Sequence, residues 1–192
     1  MAFLKAATRS RRWIRWLGMV VTFAGWAIGT SARAETAAEY QVKAVFLFNF
    51  THFVEWPPAA FKSPDAPLVI GIFGEDPFGR TLDDVVRGEK AGLHPLVVRR
   101  IHDPAEAADC HVLFVFRSAM SNFAAVLAAV RDHAVLTVGD GDDFARRGGM
   151  IRFVTASNKI RLRINLDAVR SAGLTVSSKL LRPADIVPAG GD

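Results

Sequence analysis

Apolar positions recur at helical spacing early in the chain, in short unbroken runs through its middle, and every second residue near its end. Between Glu39 and Pro57, Val42, Phe46, Phe50 and Phe53 form one helical stripe, which Val45, Leu47 and Phe48 widen. A helix that is apolar nearly all round belongs inside a core or a membrane. Lys43, Asn49, His52 and Glu55 interrupt this one too often for a membrane span of about 20 mostly apolar residues. Pro57 and Pro58 end it, because a residue before proline leaves the helical region, and Trp56 is placed to anchor the exit.

The middle of the chain alternates. Ala66 to Gly74 holds an apolar run that suits a strand buried on both faces. Pro77 to Val86 reads as a helix with proline at its first position and Gly88 at its end. His94 to His102 is a second strand, Asp103 to Ala108 a short helical turn, and Val112 to Phe116 a third strand. Ser118 to Arg131 is a helix with Phe123, Val126, Leu127 and Val130 on one side, and Val135 to Val138 a fourth strand. Strand–helix alternation of this kind predicts a mainly parallel sheet with helices on both faces. The period then changes. Met150 to Thr155 and Lys159 to Asn165 flank a turn, and Arg161, Arg163 and Asn165 alternate with Leu162 and Ile164, so the pair predicts an antiparallel hairpin. Leu166 to Ser171 reads as a short helix, and Ser177 to Leu181 as a helical turn or strand end. The expected fold is thus a single α/β domain: a mainly parallel central sheet, helices on both faces, and a C-terminal antiparallel hairpin.

Residues 1–34 change the reading of charge. Lys5, Arg9, Arg11, Arg12 and Arg15 precede an uncharged apolar run from Trp16 to Gly29, and Ala32-Arg33-Ala34 supplies small residues for cleavage. This is the layout of a secretory signal peptide removed near Ala34, so the mature part is expected to be exported across the inner membrane. The leader takes six of the 24 basic residues and none of the 19 acidic ones, leaving 18 against 19 and a net charge of −1. The basic balance of the whole chain therefore belongs to the leader, and no basic face argues for nucleic acid. The expected organisation is a leader (1–34), one domain (35–187) and a frayed tail (188–192). Cys110 is the single cysteine and opens an apolar run, so it reads as a buried thiol. An intermolecular bond through it, and a homodimer more generally, stay open.

The loop from Val138 to Met150 is the most informative candidate site, since it follows a buried strand at the carboxyl edge, where open α/β sheets bind ligands. Asp140, Asp142 and Asp143 crowd together, but position 12 of a calcium loop counted from Asp140 is Ile151. Gly148-Gly149 lacks the Lys-Ser/Thr of a phosphate loop. The functional reading is a partner-contact loop with Phe144 as anchor, flanked by Arg146 and Arg147. The plainer one is a single helical turn, capped by Asp142 or Asp143 and ended by Gly148, and it holds whichever function applies. Arg161, Arg163 and Lys179 extend the candidate surface toward an acidic partner or a small anion, or simply form a solvated face. No histidines pair at metal spacing, and Ser118 and Ser121 lie outside any nucleophile motif. No catalytic residue, metal or cofactor is expected, and the chain does not read as an enzyme.

Three segments resemble the YfiR-like periplasmic regulators: KAVFLFNFTHFVEWP (Lys43 to Pro57), VGDGDDFARRGGMIRF (Val138 to Phe153) and RLRINLDAVRSAGLTVSSKLLR (Arg161 to Arg182). The resemblance implies a repressor that contacts the periplasmic domain of a membrane-bound diguanylate cyclase and lowers cyclic-di-GMP signalling and biofilm formation. It also implies sequestration by an OmpA-type outer-membrane lipoprotein. Some such proteins carry cysteine pairs at positions corresponding to Gly71 with Cys110, and Ala145 with Arg152. Only Cys110 is present here. The alternative function is a periplasmic small-molecule-binding protein that feeds a transporter or sensor kinase.

Overall fold

The computed structural model describes residues 36–157 and 159–188, so the expected leader and all of the tail except Pro188 lie outside the described residues. Glu39–Asp192 forms one compact unit. Helix α1 covers 36–53. The strands are β1 (Val54–Glu55), β2 (Leu68–Phe73), β3 (Lys90–Ala91), β4 (His94–Ile101), β5 (Val112–Val115), β6 (Leu136–Gly139), β7 (Ile151–Ala156), β8 (Lys159–Asn165), β9 (Thr175–Val176) and β10 (Asp185–Val187). The further helices are α2 (Arg80–Val86), α3 (Phe123–Ala129), α4 (Leu166–Ser171) and α5 (Ser178–Leu181), with 3-10 turns at Pro104–Asp109 and Arg117–Asn122.

Eight strands form one sheet in the order β10-β8-β7-β6-β5-β2-β4-β3. The block β4-β2-β5-β6-β7 is parallel throughout, which is the doubly wound order 2-1-3-4-5. β8 turns back antiparallel on β7, as the hairpin pattern predicts. β10 then adds a parallel edge strand, and β3 an antiparallel one at the other side.

All six residues of β2 are buried, as a central parallel strand requires. Leu68, Ile70 and Ile72 join the core that contains Leu47 and Phe50 of α1, while Val69 and Phe73 join a second core with Phe123 and Val126 of α3. The two cores are the two faces of one sheet.

The structure corrects several details. The inward face of α1 is Tyr40, Lys43, Ala44, Leu47, Phe50 and Thr51, whereas Val42 and Val45 are 48% and 46% exposed. Of the expected stripe Phe50 is buried and Phe46 and Phe53 pack against the core, while Val42 faces out because Lys43 turns inward to its carboxylate partners. The helix also ends sooner, at Phe53, because Val54–Glu55 pairs with Thr175–Val176. Asp76 accepts from the Phe78 and Gly79 amides at 2.8 and 3.2 Å, holding a turn where the helix was expected to begin. The expected helix from Ser118 divides into a 3-10 turn and α3. The strand pairs β1–β9, β3–β4 and β10–β8 were not anticipated.

Candidate functional site

β5 and β6 end side by side, and Arg117 and Asp140 follow their last residues closely. Asp140 gathers a buried polar cluster there. Its Oδ2 accepts from the Tyr40 hydroxyl at 2.7 Å and from Lys43 Nζ at 2.8 Å, and its Oδ1 from the Arg117 amide at 3.2 Å. Lys43 also pairs with Glu39 at 2.6 Å, one helical turn earlier. Glu39 in turn accepts from the Thr155 hydroxyl at 3.0 Å. The Lys43 side chain is only 2% exposed and that of Asp140 4%.

A buried ammonium is tolerable only when fully paired, and two carboxylates do that here. Tyr40 is edge-on to Phe78, with ring centroids 5.5 Å apart, and its hydroxyl accepts from an Arg117 guanidinium N–H at 3.2 Å. Burial, reinforced by the Asp140 carboxylate, holds the Tyr40 phenol far above its ordinary pKa, so it donates its proton at any physiological pH. Beside the cluster lies a cleft of about 270 Å³, lined by Glu39, Lys43, Arg117, Asp140, Asp142 and the β7 segment 152–155.

The loop after Asp140 differs from the expectation in one central respect. Phe144 is fully buried and stacks on Phe123, with centroids 4.6 Å apart. A Cβ on Gly139 would lie 2.4 Å from its ring, and one on Gly149 2.2 Å. The glycines of the segment thus make room for a phenylalanine that pins the loop to the core. Phe144 is not presented to a partner, because its ring is needed to close the second core. The backbone of the loop makes the single helical turn of the plainer expectation: Arg147 N bonds Asp143 O at 2.9 Å, and Gly148 at φ 98° ends the turn, with Gly149 N bonded to Phe144 O at 2.9 Å.

The other predicted residues lie on three separate segments: the loop after β6, β8 and α5. Arg146 pairs with Asp143, and Arg147 donates to Met120 O at 2.9 Å while packing over Phe123. Arg161 is exposed and Arg163 half-buried on β8, where Arg163 stands directly opposite Arg152 of β7. Lys179 is exposed on α5. The structure therefore does not gather the six into one site. Sequence reasoning passed over Tyr40, Lys43 and Arg117. The signal available was a lysine inside an otherwise apolar helix, four residues after a glutamate.

At the opposite end of the sheet, a recess of about 420 Å³ reaches Cys110, His111 and His133. His111 Nδ1 accepts from the Val69 amide at 3.1 Å, and its Nε2 lies 3.2 Å from Ala60 O, so the ring is a neutral Nε2–H tautomer. Burial holds its pKa below the ordinary value. Burial also pushes the Cys110 thiol up to about 11. Among the described residues no group of His, Cys, Asp and Glu side chains could hold a metal ion, and no helix is long and apolar enough to cross a membrane.

These features define the class: a doubly wound α/β domain whose carboxyl edge carries a self-neutralising polar cluster beside a small charged cleft. The chain belongs to the YfiR/HmsC-like family, which it matches over residues 40–185, the whole of the sheet except the last residues of β10. The family is one of periplasmic regulatory proteins. No curated protein matches. Among solved structures, the ABC domain in complex with L-Trp from Streptococcus pneumonia is similar at 14% identity and a TM-score of 0.46, covering 62% of this chain. The chain matches about half (55%) of that one, and a likeness of this size carries no functional inference.

Proposed function

We propose that the exported domain represses an inner-membrane diguanylate cyclase by binding its periplasmic sensor domain, lowering cyclic-di-GMP output and biofilm formation. The observation that carries this reading is the family match over residues 40–185. The near-neutral charge of the exported part agrees with a protein partner rather than nucleic acid. Repression is a population shift: the domain binds the inactive cyclase better than the active one. A hundredfold change in activity needs about 2.7 kcal/mol of differential affinity, which a few well-packed contacts supply. The contact residues in this reading are Arg161 and Arg163 on β8, with Arg146, Arg147 and Lys179 at separate places on the surface. An OmpA-type outer-membrane lipoprotein that sequesters the domain would relieve repression.

The test is to express the chain with its leader in its host cell, measure cyclic-di-GMP, and recover bound proteins from a membrane extract. Repression with capture of a cyclase, both lost in Arg161→Glu/Arg163→Glu at normal protein levels, is the expected result. Unchanged cyclic-di-GMP on deletion of the gene would sink the reading. The small-molecule-binding alternative has the charged cleft in its favour. It predicts a metabolite that raises the melting temperature and no captured cyclase.

A further inference from the structure

Residues 56–67 join β1 to β2 across the amino end of the sheet, and two histidines hold them there. His111 belongs to the sheet rather than to this segment. Its N–H donates to Val69 O at 2.9 Å, and its carbonyl accepts from Leu136 N at 2.8 Å and from the Trp56 indole N–H at 3.2 Å. Its ring makes two further bonds: Nδ1 accepts from the Val69 amide at 3.1 Å, and the Nε2 proton goes to Ala60 O at 3.2 Å. A 3-10 turn at Pro58–Ala60, closed by Ala60 N on Pro57 O at 2.9 Å, presents that carbonyl. At the far end of the segment, His94 Nδ1 lies 2.7 Å from Ala66 O, so that nitrogen carries its proton. The Phe61 ring is sandwiched between the two histidines, its centroid 3.6 Å from that of His94 and 4.5 Å from that of His111, with interplanar angles of 11° and 19°.

The two histidines answer a proton differently. A second proton on His94 goes to Nε2 and leaves Nδ1 donating to Ala66. A second proton on His111 goes to Nδ1, which then meets the Val69 N–H donor to donor. His111 is 8% exposed and its backbone is fixed on both sides, so only rotation of the ring relieves the conflict. That rotation takes Nε2 off Ala60 and the ring off Phe61. The charged and titratable groups around the ring do not prevent it. His94 stands behind Phe61, Cys110 precedes His111, and Arg131, Asp132 and His133 line the open side of the recess of about 420 Å³. Lys62 pairs with Asp109 at 3.7 Å, both exposed, and Asp65 acts on His94 rather than on His111. None of these forms an ion pair or hydrogen bond with the His111 ring among the described residues. While the segment is in place, burial lowers the ring's affinity for a proton, the Ala60 carbonyl offsets part of this, and His94 adds to it.

We infer that residues 57–61 are an acid-released strap: neutral His111 holds them on the amino edge, and its protonation frees them while His94 keeps Ala66 as the pivot. The open state binds the proton more tightly than the closed one. Opening therefore grows as pH falls below the ordinary histidine value near 6.5, by up to about thirtyfold at pH 5. Pro57, Ala59 and Ala60 form one wall of the recess whose floor holds Cys110, only 3% exposed, so opening widens the recess over the thiol. The strap does not depend on the identity of any regulatory target.

The experiment is NMR on the exported chain, expressed with its own leader and purified, between about pH 7.5 and 5. The ¹⁵N shifts of the His111 ring report the neutral Nε2–H tautomer and its loss. Hydrogen exchange of the Ala60 and Phe61 amides, both bonded in the closed strap, gives the opening constant once divided by the intrinsic rate at each pH. That constant should rise at least about threefold over this range, with the midpoint of His111 protonation, while the amides of β6 and β8 hold theirs. His94→Gln keeps a donor for Ala66 O and should retain the rise, and His111→Asn should abolish it. Should the second variant not fold, the wild-type midpoints decide. A smaller rise, a rise shared by β6 and β8, a midpoint apart from that of His111, loss of the rise in His94→Gln, or its persistence in His111→Asn overturns the inference.

Discussion

Phe144 shows how one side chain can be misread at the residue scale. In sequence, an aromatic flanked by arginines in a glycine-rich loop has the composition of an interface anchor. In the structure it fills the second core between Gly139 and Gly149. Phe144→Ala should therefore cost about 3–5 kcal/mol in urea unfolding, as a core truncation does. A wild-type midpoint would mean that the ring is not packed as described. Lys43 is the converse case, a charge that looks exposed and is buried. Lys43→Ala leaves Glu39 and Asp140 without their shared cation and should cost about 3–5 kcal/mol by the same measurement. His111 gives a pH dependence. Its buried Nδ1 accepts the Val69 amide, so a proton there breaks that bond, and its folded pKa lies below its unfolded value near 6.5. The unfolded chain then binds the proton first, so this contribution is intact above about pH 6.5 and is lost as pH falls through the folded pKa. His111→Asn keeps an acceptor that does not protonate. Its melting temperature should fall less than that of wild type between pH 7.5 and 5, and parallel curves would refute the point.

At the scale of elements, β2, β4, β5, β6 and the hairpin were legible because each is a short apolar or alternating run with turn residues at its ends. Boundaries were less so: α1 gave up Val54 and Glu55 to a strand pair whose partner, Thr175–Val176, is more than a hundred residues away. Such pairings leave no local trace. Gly71 and Cys110 are another long-range meeting, between β2 and the residue two before β5. A Cβ built on Gly71 lies 3.4 Å from Cys110 Cβ, close to the range that disulfides need. Gly71→Cys should form a disulfide with Cys110 under oxidising conditions and stabilise the fold by up to about 3–4 kcal/mol. Two free thiols by titration after oxidation would show that the approach is not realised. The crowding of Leu113 Cδ1, 3.0 Å from the same built atom, sets the strain to be offset.

At the scale of the whole molecule, both cores share one sheet, so the domain should unfold in a single transition. Three of the four tryptophans lie in residues 1–34, so in a variant that starts at Glu35 fluorescence reports Trp56 alone. Trp56 sits at the amino end of the sheet, bonded to His111 O at 3.2 Å. Its unfolding curve should coincide with that of far-ultraviolet circular dichroism, and separate midpoints would mean two units. Sequence by itself determined the class of fold, the near-neutral charge of residues 35–192 and the burial of Cys110, because period, net charge and apolar runs are local or additive properties. Only the tertiary structure decided which face of α1 turns inward, that Phe144 is core, and that Tyr40, Lys43, Arg117 and Asp140 meet. Those outcomes depend on which distant groups neutralise a buried charge or fill a space, and neither spacing nor composition carries that information.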